Sequence, residues 1–555
     1  MGAAMNDVSN SPETLRQQVL QSILSLSPSD SAPDCTQLIL LMKSNQTAQI
    51  HRCFDILSAS AAYLALSSHQ LQDIISIALT FDFIKHHQSN PPLTQAYFNF
   101  SQNLALCNAQ YVEPVVRTIT KSFLSISIHS HIGTHAVSLL HAILTTYPTA
   151  VNVFSTAFAA FYPHIRREKS MCLNYSAFLL EFSKVSSNLH IIQCVVSLIT
   201  SKIAAMDAEI NHVKSYRSEQ QQQLGVFDIE LQIDDESMDT KLDELLALCY
   251  AFLERLYFSE QPSDLLVYYN CLYRAFETHI VSMVRPHYSL YVLYFAASLD
   301  SQLILDLSER LRSAFNDRSS PSFIRSNCAI FSTSIITQSR FLSSHQIMNW
   351  ITSMISWLHL YLDSTRDPSI DSDVHALFYT AFQCIMLVIT TKTSDLFHNE
   401  LAIDTIRSLR MASLIRSPLN PLRMVSSNDL VSRFSEVLNR YEILDCFDVL
   451  ARNAYVTIAS QTSRGSKNQV AFHYPFSCYF LPQSQHFIHK YFNVLLRTGG
   501  ANGGDEHNVE EETHEFSEHE LPESGVVVAG DNRERAYEDK VTLCATSWDE
   551  PCPVD

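Results

Sequence analysis

The chain has 555 residues, 46% hydrophobic and only 17% charged, with a formal net charge of −19. So much apolar material excludes a wholly disordered chain, and the negative balance disfavours binding to naked nucleic acid, which needs clustered Lys and Arg. Glycine excludes more: of ten glycines only Gly133, Gly225 and Gly465 lie between Gly2 and Gly499, too few for doubly wound sheets, phosphate-cradling loops or tight hairpins.

In chain order, Met1–Asn10 lacks the basic n-region and apolar h-region of a signal peptide, and residues 1–11 are expected to be disordered. Helical periodicity then marks a first block over 12–215. Its clearest stripe is Ile192, Val195, Val196, Ile199, Ile203, Met206 and Ile210, stepping by three and four. Arg166, Arg167 and Lys169 form the one tidy basic cluster before the C-terminal third and read as a solvated helix entry. Residues 216–239, with Gln220–Gln223 and then Asp234, Asp235 and Glu236, read as an acidic polar loop.

A second helical block is expected over 240–498. Ser320–Pro321 suits a helix start, and Ser343 and Ser344 can cap the stripe of Trp350, Met354, Trp357, Leu358 and Tyr361. The longest uncharged run, His375–Thr391, is too short and too polar to cross a membrane. Ser460–Val470 is a second break. The tail, 499–555, holds 16 acidic and 3 basic residues, a net of −13 that leaves about −6 for the rest, and is expected to be disordered. Roughly 18 to 20 amphipathic segments paired at about 40 residues per unit predict an all-α solenoid of the HEAT/armadillo-like kind.

Chemistry-bearing constellations are sparse. The 13 cysteines are scattered singly with no C-x-x-C, as in reduced cores of intracellular proteins. His129, His131, His135 and His141 crowd together, but no carboxylate lies among them, so solvated or core-edge histidines are the better reading; His486 and His489 read alike. Asp234, Asp235 and Asp239 lack a second acidic motif with which to hold a metal–diphosphate. No nucleophile elbow, P-loop or zinc-finger spacing is present, so neither catalysis nor a cofactor or metal is expected. Serines recur on polar faces at Ser183, Ser186, Ser187, Ser197 and Ser201, either as ordinary surface or as a neutral docking face that phosphorylation would switch.

Several stretches are similar, in order, to the RNA polymerase I-specific transcription initiation factor family of the growth-regulated TIF-IA type. They are His135–His164 (HAVSLLHAILTTYPTAVNVFSTAFAAFYPH, ending in Pro163 and His164) and Asn174–Phe182 (NYSAFLLEF, with Asn174 and Tyr175). IAAMDAEI with Asp207 and Lys241-Leu242-Asp243 follow, then IRSNCAIFSTSIITQSRF with Arg325, and WLHLYL. SPLNPL with Asn420 and Pro421, and Tyr474-Pro475-Phe476, complete the series. The resemblance implies a HEAT-repeat protein of the nucleus and nucleolus. It would bind RNA polymerase I near its stalk, bridge it to promoter-bound core initiation factors at ribosomal RNA genes, and respond to phosphorylation. It implies polymerase contact by Ser183, Ser186 and Ser187. This sequence departs from the family pattern at Thr149-Ala150, where a serine pair is expected, at Gln338 for an arginine, and at Ser477-Cys478 for Asp-Pro. A nuclear transport or trafficking adaptor of the same solenoid class is the alternative, and a metal-dependent helical enzyme is a third.

Overall fold

The computed structural model describes Gln21, 35–461 and 478–496, less short stretches at 45, 67, 87, 224–236, 260–262, 366–373, 399, 426 and 494. The expected disordered termini (1–11 and 499–555), most of the acidic stretch with Asp234 and Asp235, residues 462–470 of the second break, and Pro475 and Phe476 lie outside the described residues.

Helices dominate. The first half holds α1 (Cys35–Lys43), α2 (Thr47–Ala59), α3 (Ala61–Leu66), α4 (Ser68–Leu79), α5 (Pro91–Cys107), α6 (Val112–Ser122), α7 (His131–Thr146), α8 (Val151–Phe161), α9 (Lys169–Ser186) and α10 (Leu189–Gln223). After the insertion come α11 (Met238–Tyr257), α12 (Ser263–His279), α13 (Tyr291–Ser298), α14 (Ser301–Asn316), α15 (Ser322–Gln338), α16 (Ser344–Ser364) and α17 (Ala376–Thr391). The chain continues with α18 (Thr393–Leu396), α19 (Glu400–Ser408), α20 (Met411–Ile415), α21 (Asn428–Arg440), α22 (Phe447–Gln461) and α23 (Gln485–His489). The described β-structure consists of a two-residue parallel pairing, Cys478–Tyr479 with Leu495–Leu496, and an isolated bridge between Ser339 and Phe492.

Helix starts follow local chemistry. Asn90 accepts from Leu93 N–H at 3.3 Å with Pro91 in the first turn. Ser343 closes a reciprocal capping box with Gln346. Pro321 sits one position earlier than a first-turn proline, as the N-cap of α15.

Helices then stack on their second neighbours: α5 on α7, α6 on α8, α7 on α9, α8 on α10, α9 on α11 and α10 on α12. This two-layer succession is how helical repeats build a continuous core. Long-range hydrogen bonds measure the period. Asn108–Ala65, Tyr147–Leu106, Gln95–His135, Arg310–Asn270 and Tyr379–Leu419 join residues 43, 41, 40, 40 and 40 apart. Across α10 and the insertion, the separation rises to 74 or more, as in Arg255–Glu181. That insertion is narrower than the polarity of 216–239 suggests: α10 runs to Gln223, and Ser237 caps α11, placing Asp239 in its first turn.

The Ile192–Ile210 stripe is wholly buried, as is most of α17. Leu189–His212 is long and apolar enough to cross a membrane, but half of that stretch is buried inside the solenoid. Cys53, Cys107, Cys172, Cys194, Cys249, Cys271, Cys328, Cys384 and Cys446 are free thiols; burial pushes the Cys249 and Cys384 thiols up to about 12.

Gly133 shows why one interior glycine matters. A Cβ there would overlap the Ser127 carbonyl oxygen and lie 2.9 Å from Ile128 Cα. Alanine is the better helix former by about 1 kcal/mol, yet Gly133→Ala is expected to destabilise the chain by about 1–3 kcal/mol, because backbone must move. A thermal melt reads the sign: a higher Tm would show that the loop before α7 yields freely.

Candidate docking face

α9 ends in a tight reversal. Ser187 adopts φ 49°, the left-handed conformation of helix C-termini, and its N–H donates to the Ser183 carbonyl at 3.2 Å. Asn188 then starts α10, its Oδ1 accepting from His190 N–H and Ile191 N–H at 3.0 and 3.3 Å. Helical spacing separates the three serines expected to act together. Ser176, Leu179, Leu180 and Ser183 share the buried face, so Ser183 is fully buried and hydrogen-bonds Tyr268 Oη at 2.6 Å. Its expected place on a docking surface is therefore corrected: it joins α9 to α12. Ser186 is half-buried and Ser187 exposed, each hydroxyl donating to a carbonyl three residues back.

The surroundings of that turn are partly apolar, with Lys184 the charged residue in the last turn of α9. Val185 and Leu189 are 46% and 43% exposed. Beside them opens a cleft of about 580 Å³ lined by Thr149, Asn152, Ser155, His190, Gln193 and Ser197, among others. Thr149, the position of the missing serine pair, thus shares a wall with Ser197. The Ser197 hydroxyl meets His279 Nε2 at 2.8 Å, and burial lowers that imidazole's pKa. α9 and α11 run in register, with Lys169 on Glu244 at 2.7 Å and Glu181 on Arg255 at 2.5 Å. Their C-terminal ends therefore lie on the same side, which brings the exposed Tyr257 and Phe258 to the end that carries the serine turn.

The motif residues are mostly architectural. Pro163 is buried; His164 is exposed and its carbonyl accepts from Arg167 N–H at 2.8 Å. Tyr175 is buried, donates to the Phe158 carbonyl at 3.1 Å and meets Tyr162 edge-on, while Asn174 is half-buried. Arg325 Nε donates to the Phe315 carbonyl at 2.7 Å, a cation at the C-terminal end of α14. Asn420 takes φ 43° and exchanges amide hydrogen bonds with Asn453 at 2.7 and 3.2 Å, just before the 3₁₀ turn opened by Pro421.

Asp207 is fully buried on the apolar stripe of α10, where a carboxylate needs every oxygen satisfied. Its Oδ2 accepts from His287 N–H, Ser289 N–H and the Ser289 hydroxyl at 2.8, 3.0 and 2.7 Å, and Oδ1 faces the Asn211 amide at 3.3 Å. Sequence reasoning found Asp207 by resemblance but missed this role. Its position between Ile203 and Ile210 was the available signal. Asp243 on α11 does the same for residues 483–484, and nothing local foretells that partner.

The histidine cluster is split: His129 and His131 are exposed, and His135 and His141 are half-buried. His135 meets the Gln95 amide and stacks on Phe98 with centroids 5.8 Å apart. Among the described residues, no three His, Cys, Asp or Glu side chains are grouped to hold a metal.

A family model described as RNA polymerase I specific transcription initiation factor RRN3 matches residues 11–240 and 214–495. The chain is 23% identical over 309 residues to RNA polymerase I-specific transcription initiation factor RRN3 of Mus musculus, a match covering 52% of this chain and 47% of that one. It is 22% identical over 285 residues to rrn3 of Schizosaccharomyces pombe, covering 49% and 46%. The aligned part thus spans about half the length of these relatives. A crystal structure of RNA polymerase I transcription initiation factor Rrn3 superposes with TM-score 0.71 at 17% identity, covering 87% of this chain and 99% of that one, and so shares the fold. With the family match running through both helical blocks, the chain belongs to the RNA polymerase I-specific transcription initiation factor RRN3 family.

Proposed function

We propose that the chain is an initiation factor that binds RNA polymerase I near its stalk and bridges it to promoter-bound core initiation factors at ribosomal RNA genes. It works in the nucleus, at the nucleolus, and its docking is controlled by phosphorylation. Family membership supports the polymerase as partner. The observation that carries the site is the exposed, left-handed Ser187 beside a neutral cleft and two exposed apolar side chains. Neutral hydroxyls desolvate at modest cost in an interface, whereas a phosphate there would bury about two negative charges. A solenoid also offers a long surface on which two partners dock at once.

Ser187→Asp tests this. Aspartate tolerates the left-handed conformation, so the fold and Tm should hold. Affinity for purified RNA polymerase I should fall by at least about 1 kcal/mol. An unchanged titration curve would remove Ser187 from the interface. The partner itself is tested by tagging the chain in its own cells: co-purification of RNA polymerase I subunits is expected, and recovery of transport factors in their place would overturn the assignment.

A further inference from the structure

The turn that leaves α12 presents a further surface, far along α10 from Ser187. Residues 281–290 run beside α10, and Asn211, which meets this turn, lies about 33 Å along the helix from Leu189 at about 1.5 Å per residue. We propose that the tip of this turn is a docking epitope for an acidic, apolar peptide segment of a protein partner. Val284 and Phe323 are its apolar anchors, and Arg285 is the cation that pairs with the partner's carboxylate. The proposal stands whether or not the serine turn meets the polymerase.

Three features carry it. First, the backbone of the turn is fixed from two helices. On α10, the Asn211 amide donates to the Arg285 carbonyl at 3.0 Å, and Asp207 Oδ2 accepts from His287 N–H and Ser289 N–H at 2.8 and 3.0 Å. On α15, the Asn327 amide donates to the Val281 and Met283 carbonyls at 2.8 and 3.4 Å. Second, the clamped backbone holds its tip out to solvent. Val284 is 86% exposed, more than any other large apolar side chain described. Arg285, also exposed, keeps φ 55°, a left-handed conformation that glycine adopts at less cost. Third, the tip has an apolar neighbour. Phe323, 53% exposed, stands one helical turn before Asn327 on the same face of α15, the face that meets this turn.

Charge selects the occupant. The Arg285 side chain has no hydrogen-bond or ion-pair partner among the described residues, and Arg318, exposed in the turn before α15, adds a second cation. The acids of the flanking elements are engaged: Asp317 by Ser319 and Ser320, and Glu277 by Tyr273. A partner therefore gains by placing a carboxylate on Arg285 and an aliphatic or aromatic side chain against Val284 and Phe323. Arg285 and Arg318 are too few to track a nucleic-acid backbone. Because the turn is ordered before binding, docking spends little conformational entropy on it.

The test selects random dodecapeptides displayed on phage against the full chain and measures the selected peptides, dye-labelled, by fluorescence anisotropy. Peptides that combine Asp or Glu with aliphatic or aromatic residues are expected. Val284→Ser and Arg285→Gly should each weaken their binding at least about tenfold. Both should keep the parent's thermal melt, since glycine suits the left-handed φ and Val284 packs on little. Asp207→Ala, which loosens the turn without removing its tip, should weaken binding as well. Leu401→Ser, which removes another exposed apolar side chain on α19, should not. Failure to select acidic, apolar peptides would overturn the proposal. So would parent-like binding by Val284→Ser, Arg285→Gly or Asp207→Ala, or an equal loss with Leu401→Ser.

Discussion

Asp243→Ala is expected to lower stability by about 3 kcal/mol and to free residues 478–496 from α11. The carboxylate is 2% exposed, and both oxygens are in use. Oδ1 accepts from Ser484 N–H and its hydroxyl at 2.7 and 2.6 Å, and Oδ2 accepts from Gln483 N–H at 2.8 Å. Alanine leaves the buried Ser484 N–H without this acceptor and removes the clasp on the partly buried Gln483 N–H, while the Ser484 hydroxyl keeps only Tyr479 Oη at 2.8 Å. The returning segment is also held by aromatic packing, with Phe487 against Tyr250 and Phe295 and Phe492 against Tyr291 and Tyr294, and by polar contacts such as Asn493 N–H on the Gln338 carbonyl at 2.6 Å and the Lys490–Glu254 ion pair at 2.9 Å. Asn at 243 should fail almost as badly, costing about 2 kcal/mol, because its NH₂ must face an N–H donor. Denaturant midpoints and limited proteolysis of the C-terminal segment measure both. Wild-type behaviour of Asp243→Asn would show that the segment's other contacts hold it without this clasp.

Asp207→Ala should cost a similar amount, about 3 kcal/mol, and loosen the 283–290 turn from α10. The amide variant should behave differently here. Oδ2 alone takes the three strong donors, so the single oxygen of Asp207→Asn can serve all of them. The other position faces the Asn211 amide only at 3.3 Å, and Asn211 keeps its stronger bond to the Arg285 carbonyl at 3.0 Å. Asp207→Asn is therefore expected within about 1 kcal/mol of the parent. The comparison is sharper than either value: if Asp207→Asn proves worse than Asp243→Asn in the same denaturation series, the hydrogen-bond assignment at both sites is wrong.

Much of the fold is legible in the chain because its causes are local. The Ile192–Ile210 stripe is a matter of spacing along one helix, and Ser343 with Gln346 caps another, α16, within four residues. The about 40-residue unit follows from helix lengths and polar turns, and the cross-helix hydrogen bonds repeat it. Polarity misjudged the insertion's edges, since Gln220–Gln223 favours a helix as readily as a loop.

The sequence by itself therefore determined an all-helical repeat chain, poor in glycine and without a catalytic constellation, whose ordered motifs point to one family. Only the tertiary structure decided which serines face outward. Ser183 and Ser187 differ in role because one more helical turn carries the chain from a face packed on Tyr268 to an exposed left-handed cap. It also decided that Asp207 and Asp243 are interior clasps, since their partners lie 80 to 82 and 240 to 241 residues away, beyond the reach of any periodic pattern. Periodicity reports which face of a helix is apolar; which neighbour meets that face, and what a buried carboxylate finds there, depends on how the helices stack.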